Sequence, residues 1–77
     1  MIFIYKREKC AYCPMVMKYL DHIGVDYRVR DAEGVTYTIL AEKYGFSVPL
    51  VYNDKTDQGM VGYDIAKLKN LTLGHTS

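Results

Sequence analysis

The chain opens on five apolar residues, Met1-Ile2-Phe3-Ile4-Tyr5, with no polar position among them. Such a run predicts a strand covered on both faces, as at the centre of a sheet with helices on each side. Lys6 to Lys9 is charged throughout and forms an exposed loop, because a run of charges cannot be buried. From Pro14 to Ile23 the apolar positions Val16, Leu20 and Ile23, widened by Met17, recur at helical spacing, and Gly24 supplies a stop. Val25 to Arg30 alternates strictly, with Val25, Tyr27 and Val29 on one face and charges on the other, which predicts an edge strand. Strand, helix and strand of one sheet require a right-handed crossover, so this part reads as a βαβ unit. Beyond the turn from Asp31 to Gly34, Val35, Ile39, Leu40 and Tyr44 mark a second helix ended by Gly45. Leu50-Val51-Tyr52, ended by Asn53-Asp54, predicts a third strand; residues 54 to 58 turn, and Gly59-Met60-Val61 returns antiparallel until Gly62 breaks it. Asp64 is placed to cap a last helix carrying Ile65, Leu68 and Leu71 on one face, and Leu73 to Ser77 reads as a frayed tail. The order is β-α-β-α-β-β-α, an α/β fold.

With 77 residues the chain holds a single domain, 1–77, with one modest core. Hydrophobic residues are 49% and charged residues 25%, ordinary globular usage, and no apolar stretch reaches membrane-spanning length. The opening run is too short for a signal peptide and has no basic leader, so a cytoplasmic protein without a membrane partner is expected. A net charge of +1 supplies no field for nucleic acid, so partners must be recognised locally, and a monomer is expected.

Chemistry concentrates in Cys10-Ala11-Tyr12-Cys13, which holds the only two cysteines, between the first strand and the first helix. A sulfur there faces unpaired helix N–H groups and the positive end of the helix dipole, both of which favour thiolate. The second sulfur is close enough to close a small disulfide. A close pair without an export signal suits catalysis in a reducing cytosol better than a secreted scaffold. Cys10, at the loop end beside Lys9 and near Arg7, is the expected nucleophile, with Glu8 opposing the shift in part, and Cys13 resolves the mixed disulfide. Such sites bring a thiol from roughly 8.5 to about 7 or below. The competing reading is a structural pair or half a zinc site. Zinc needs two more ligands, and His22 and His75 lack paired spacing, so no metal is expected. If Cys10 were the helix cap, Pro14 would fall at the fourth helical position, where its missing N–H forfeits a hydrogen bond; otherwise the helix starts later.

Four pieces, Ile4-Tyr5-Lys6-Arg7, Cys10-Ala11-Tyr12-Cys13, Ser47-Val48-Pro49 and Gly62-Tyr63-Asp64, together with the element order, carry a wider likeness. Over nearly its whole length the chain resembles the glutaredoxins and the related glutaredoxin-like hydrogen donors of ribonucleotide reductase. The resemblance implies a thioredoxin fold, a four-stranded mixed sheet flanked by three helices. It implies a dithiol-disulfide oxidoreductase with no tightly bound cofactor, using glutathione as reductant on glutathione mixed disulfides or protein disulfides such as that of ribonucleotide reductase. It also implies that Val48-Pro49 is cis and faces the cysteines, that the Val48 backbone pairs with the peptide of glutathione, that Arg7 meets a glutathione carboxylate, and that Tyr63 and Asp64 hold its other end. Lys9 is a further candidate contact. Without the resemblance, Pro49 is an ordinary trans residue starting a strand. Tyr12 matches the glutaredoxin site, whereas Ala11 stands where the family usually has Pro, the connection into the second helix is short, and the hairpin after Pro49 is long. Two alternatives accompany this reading: an electron donor to ribonucleotide reductase served by thioredoxin reductase, and an iron-sulfur cluster carrier, a role seen where the active-site Pro is replaced.

Overall fold

A computed structural model describes residues 1–73. The elements are β1 (Ile2–Lys6), α1 (Cys13–His22), β2 (Tyr27–Asp31), α2 (Gly34–Tyr44), β3 (Leu50–Asn53), β4 (Gln58–Val61) and α3 (Ile65–Leu71). Apart from Leu73, the expected tail lies outside the described residues, and so does His75. One four-stranded sheet runs in the order β2-β1-β3-β4. β1 pairs parallel with β2 from Ile2↔Tyr27 to Lys6↔Asp31. It pairs antiparallel with β3 from Ile2↔Asn53 to Tyr5↔Leu50, and β3 and β4 form the hairpin. This is the thioredoxin-type fold expected, with β1 inside the sheet and β2 on its edge.

β1 takes in Lys6, expected in the loop, and its apolar run from Ile2 to Tyr5 is explained by the two cores it serves. Ile2 and Ile4 join Val16, Leu20, Val51, Met60, Leu68 and Leu71 on the face covered by α1 and α3. Tyr5 joins Tyr37, Leu40, Ala41 and Leu50 on the opposite face, with Phe3, Tyr44, Tyr52 and Val61 packed around them. Over Ile2 to Tyr5, covered on both faces, no position is left for a polar side chain, and the first charge, Lys6, comes at the end of the strand.

Several local expectations are corrected. α1 begins at Cys13, not Pro14, and its cap is Tyr12, not Cys10. Pro14 therefore sits at the second helical position, where an N–H has no intrahelical partner anyway, and the missing donor costs the helix nothing. β2 starts at Tyr27; Val25 stays buried, but its N–H bonds to Leu20 O at 3.0 Å, closing the end of α1 instead of entering the sheet. β3 and β4 each gain a residue, Asn53 and Gln58.

The largest difference concerns α2. Val35 and Ile39, expected to face the core, are 77% and 60% exposed; Leu40 is buried as expected, with Tyr37 and Ala41 beside it in their place. α2 is apolar on both sides, so spacing alone does not select a face, and the larger contact area of Tyr37 against Tyr5, ring centroids 5.8 Å apart, prevails. Ile65 is likewise half exposed, leaving Leu68 and Leu71 to anchor α3.

Asn53 is fully buried: its amide donates to Leu71 O at 2.8 Å and its carbonyl oxygen accepts from Lys55 N at 3.0 Å, tying β3 to the end of α3. Gly59 is required by close packing, since a Cβ there would lie 2.7 Å from the Tyr44 ring.

Candidate active site

Sheet register gathers the site. Tyr5 pairs with Leu50 and Leu50 with Val61, so three segments meet at one end of the sheet: the loop leaving β1 toward Cys10, the Val48-Pro49 entry to β3, and the Gly62-Tyr63-Asp64 exit from β4. The Val48-Pro49 bond is cis, as the resemblance implied, and Pro49 O accepts from Gly62 N at 2.8 Å, locking two of these segments together.

Cys10 and Cys13 form a disulfide with Cα atoms 5.4 Å apart. Their surroundings differ. Cys10 is half-buried at the end of the loop, whereas Cys13, the first residue of α1, is 1% exposed. No side chain caps α1, and its first backbone bond is Val16 N to Tyr12 O at 3.1 Å. The N–H groups of Cys13 and Met15 thus have no intrahelical acceptor, and Pro14 has no N–H. Free donors and the positive helix end would stabilise a thiolate at this site once the disulfide opens.

Around the disulfide, Tyr12 is 52% exposed and lies parallel to Tyr63, ring centroids 6.4 Å apart. Asp64 is exposed and accepts from Lys67 N at 3.1 Å, so it is the α3 cap, as expected. Val48 is half-buried and Pro49 buried. Arg7 and Lys9 are exposed, and neither forms an ion pair among the described residues. The Arg7 guanidinium lies over the Tyr37 ring, 5.8 Å from its centroid. The cysteines, Tyr12, Val48, Pro49, Tyr63 and Asp64 thus cluster at one end of the sheet, Arg7 flanks them on the α2 side, and Lys9 forms no ion pair or cation–π contact among the described residues. No set of three metal-ligating side chains is grouped among the described residues.

One neighbour of the site escaped sequence reasoning. Tyr37 supports Arg7, and its buried hydroxyl has no hydrogen-bond partner among the described residues. Tyr5, against which it packs, has its phenol pushed above the ordinary value by burial, with Arg30 opposing. Neither contact had a signal in the sequence, where Tyr37 is one of eight tyrosines.

A redox pair at the start of a helix, beside a cis-proline at the end of a thioredoxin-type sheet, defines a thiol-disulfide oxidoreductase of the thioredoxin superfamily. The glutaredoxin family model matches residues 2–56, and the chain belongs to the glutaredoxin family. Among solved structures it is similar to the thioredoxin-like protein BC3987, with 25% identity, a TM-score of 0.70, and 92% of this chain and 99% of that chain covered. It is also similar to the glutaredoxin grx-1 from Archaeoglobus fulgidus, with 29% identity, a TM-score of 0.68, and 91% and 83% covered. A search of curated proteins finds no match. Among the described residues no helix is long and apolar enough to cross a membrane.

Proposed function

We propose that the protein reduces protein disulfides and glutathione mixed disulfides, with Cys10 as nucleophile, Cys13 as resolving thiol and glutathione as the electron source. The carrying observation is the asymmetry of the pair: a substrate sulfur can approach half-buried Cys10 but not enclosed Cys13. In the reduced protein the Cys10 thiolate attacks one sulfur of the substrate disulfide, forming a mixed disulfide and releasing the other sulfur as a thiolate that takes up a proton. Cys13 then loses its proton and attacks the Cys10 sulfur, expelling the second substrate thiolate, which is protonated in turn. Two electrons have passed to the substrate, and the protein is left with the Cys10–Cys13 disulfide. Two glutathione molecules reverse this, the first bonding to Cys10 and the second leaving with it as oxidised glutathione.

Four features support glutathione. Arg7 is a guanidinium held on Tyr37 and unpaired among the described residues, suited to a carboxylate. Val48, ahead of cis-Pro49, offers a backbone edge, and Asp64 carries a negative charge at the far side. Tyr12 and Tyr63 form an apolar wall between them.

The test is disulfide reduction supplied in turn with glutathione plus its reductase and with thioredoxin reductase. Turnover with glutathione is expected, weakened by Arg7→Ala; turnover with thioredoxin reductase alone, indifferent to that substitution, would reject the glutathione site. Cys10→Ser should abolish all activity, and Cys13→Ser should still trap a mixed disulfide at Cys10. Alkylation of the reduced protein at low pH, read by mass spectrometry, should label Cys10 first; preferential labelling of Cys13 would reverse the assignment.

A further inference from the structure

α1 and α3 leave a trough between them that begins at the redox site. A cavity of about 420 Å³ is lined by Met15, Lys18, Tyr19, His22 and Tyr63. A second, of about 150 Å³, is lined by Tyr19, Ile23 and Lys69 among others, so the two adjoin through Tyr19. Tyr63 belongs to both the trough and the stacked pair with Tyr12, which joins the trough to the Cys10-Ala11-Tyr12-Cys13 segment. Met15, 44% exposed, lies one helical step beyond Tyr12 on the same side of α1.

The charges along this trough are of one sign. Lys18 and Lys69 line it, and neither is ion-paired among the described residues. Among the described residues no carboxylate lines either cavity. Asp21 and Asp64, the chain neighbours of the lining residues His22 and Tyr63, are engaged elsewhere: Asp21 sits against the Tyr27 hydroxyl, whose pKa it helps burial to raise, and Asp64 caps α3. On a chain whose net charge is only +1, this is a local basic rim on an apolar floor.

We infer that this trough docks the polypeptide bearing the substrate disulfide, and that it selects a segment in which apolar and acidic residues flank the reacting cysteine. The inference rests on the oxidoreductase reading above and adds the substrate class to it. From Met15 to His22 the helix rises roughly 10 Å, the span of about three extended residues, so the acidic positions fall about three to five residues from the cysteine attacked by Cys10. The redox step is unchanged: two electrons pass from the Cys10/Cys13 dithiol to the peptide disulfide, which leaves as two thiols.

The probes are two disulfide-containing peptides with the same apolar residues, one with Glu and one with Lys at those flanking positions, and bis(2-hydroxyethyl) disulfide as a substrate too small to use the trough. With wild type, kcat/KM should favour the Glu peptide by roughly three- to tenfold, the scale of exposed charge pairs. Lys18→Ala/Lys69→Ala should erase that preference and Lys18→Glu/Lys69→Glu should invert it, with turnover of the small disulfide unchanged. Equal kcat/KM for the two peptides, or a preference that survives charge reversal, would overturn the proposal. So would light scattering that shows a dimer dissociated by the charge reversal, because a second copy would then be the occupant. If wild type failed on the small disulfide, the oxidoreductase reading would fall by itself, and fluorescence anisotropy of labelled peptides on the oxidised protein would still decide the docking.

Discussion

At the residue scale, Tyr37 shows how one side chain can carry a cost and a use together. Its ring closes the core against Tyr5 and supports Arg7, while its buried hydroxyl lacks a partner among the described residues. Leaving such a donor unsatisfied costs about 1–3 kcal/mol, so Tyr37→Phe, which keeps the ring, is expected to raise stability by about 1 kcal/mol. Chemical denaturation measures it, and if Arg7 holds glutathione as proposed, the KM for glutathione should stay unchanged because the platform under Arg7 is intact. A loss of stability would mean that the hydroxyl is satisfied in solution. Of the site residues, the cysteines, Tyr12 and the Val48-Pro49 pair were legible in the sequence because each is marked by spacing or by the likeness to glutaredoxins. Tyr37 was not, since a tyrosine in a tyrosine-rich chain carries no mark until folding sets it beneath an arginine.

At the scale of elements, α3 is short and depends on its start. Asp64 accepts the Lys67 N–H, and only Leu68 and Leu71 anchor the helix in the core. Asp64→Ala removes the cap and should cost about 1 kcal/mol, whereas Asn caps as well as Asp, so Asp64→Asn should retain stability. The pair of substitutions separates two roles: if Asp64 also holds the amino end of glutathione, Asp64→Asn raises the KM for glutathione at unchanged melting temperature. An unchanged KM would confine Asp64 to capping. α1 was readable from its apolar spacing, but its first residue was not, because Pro14 is tolerated anywhere in a first turn and the cap residue is selected by where the loop from β1 arrives.

For the whole molecule, pH acts through the hairpin far from the redox site. Asp57, at φ 52 in the turn, accepts from the Tyr52 hydroxyl at 2.7 Å and lies 3.5 Å from Lys43 Nζ. The hydrogen bond from Tyr52, then the Lys43 charge, hold the Asp57 carboxyl below its ordinary value, and the same bond pushes Tyr52 up to about 12. A depressed carboxylate stabilises the fold above its unfolded pKa, roughly 4, and loses that contribution as pH falls through the folded value. A raised phenol acts at the other end: its contribution is complete below about pH 10 and declines as the unfolded state ionises first. Denaturation midpoints should therefore be flat near neutrality and fall on both sides, and Asp57→Ala should bring the Tyr52 titration, followed by NMR, back toward the ordinary range. A Tyr52 titration unmoved by that substitution would refute the coupling.

Local pattern was enough for the element order, the central place of β1, the edge position of β2 and the redox pair, because periods of apolar residues, charge runs and cysteine spacing are properties of neighbouring residues. What lay beyond it was decided by surfaces that meet only in the folded chain. α2 presents apolar residues on both sides, and contact with Tyr5 selected Tyr37 over Val35 and Ile39. Asn53 reads as a turn residue until Leu71 O and Lys55 N arrive to satisfy it, which lets it be buried. The trough between α1 and α3 joins Met15 and Tyr19 to Tyr63 and Lys69, residues that sequence places in separate elements. The alternation of apolar and polar positions specifies which side chains can be buried, and packing between elements chooses among them, because the area each contact removes from water depends on the partner facing it.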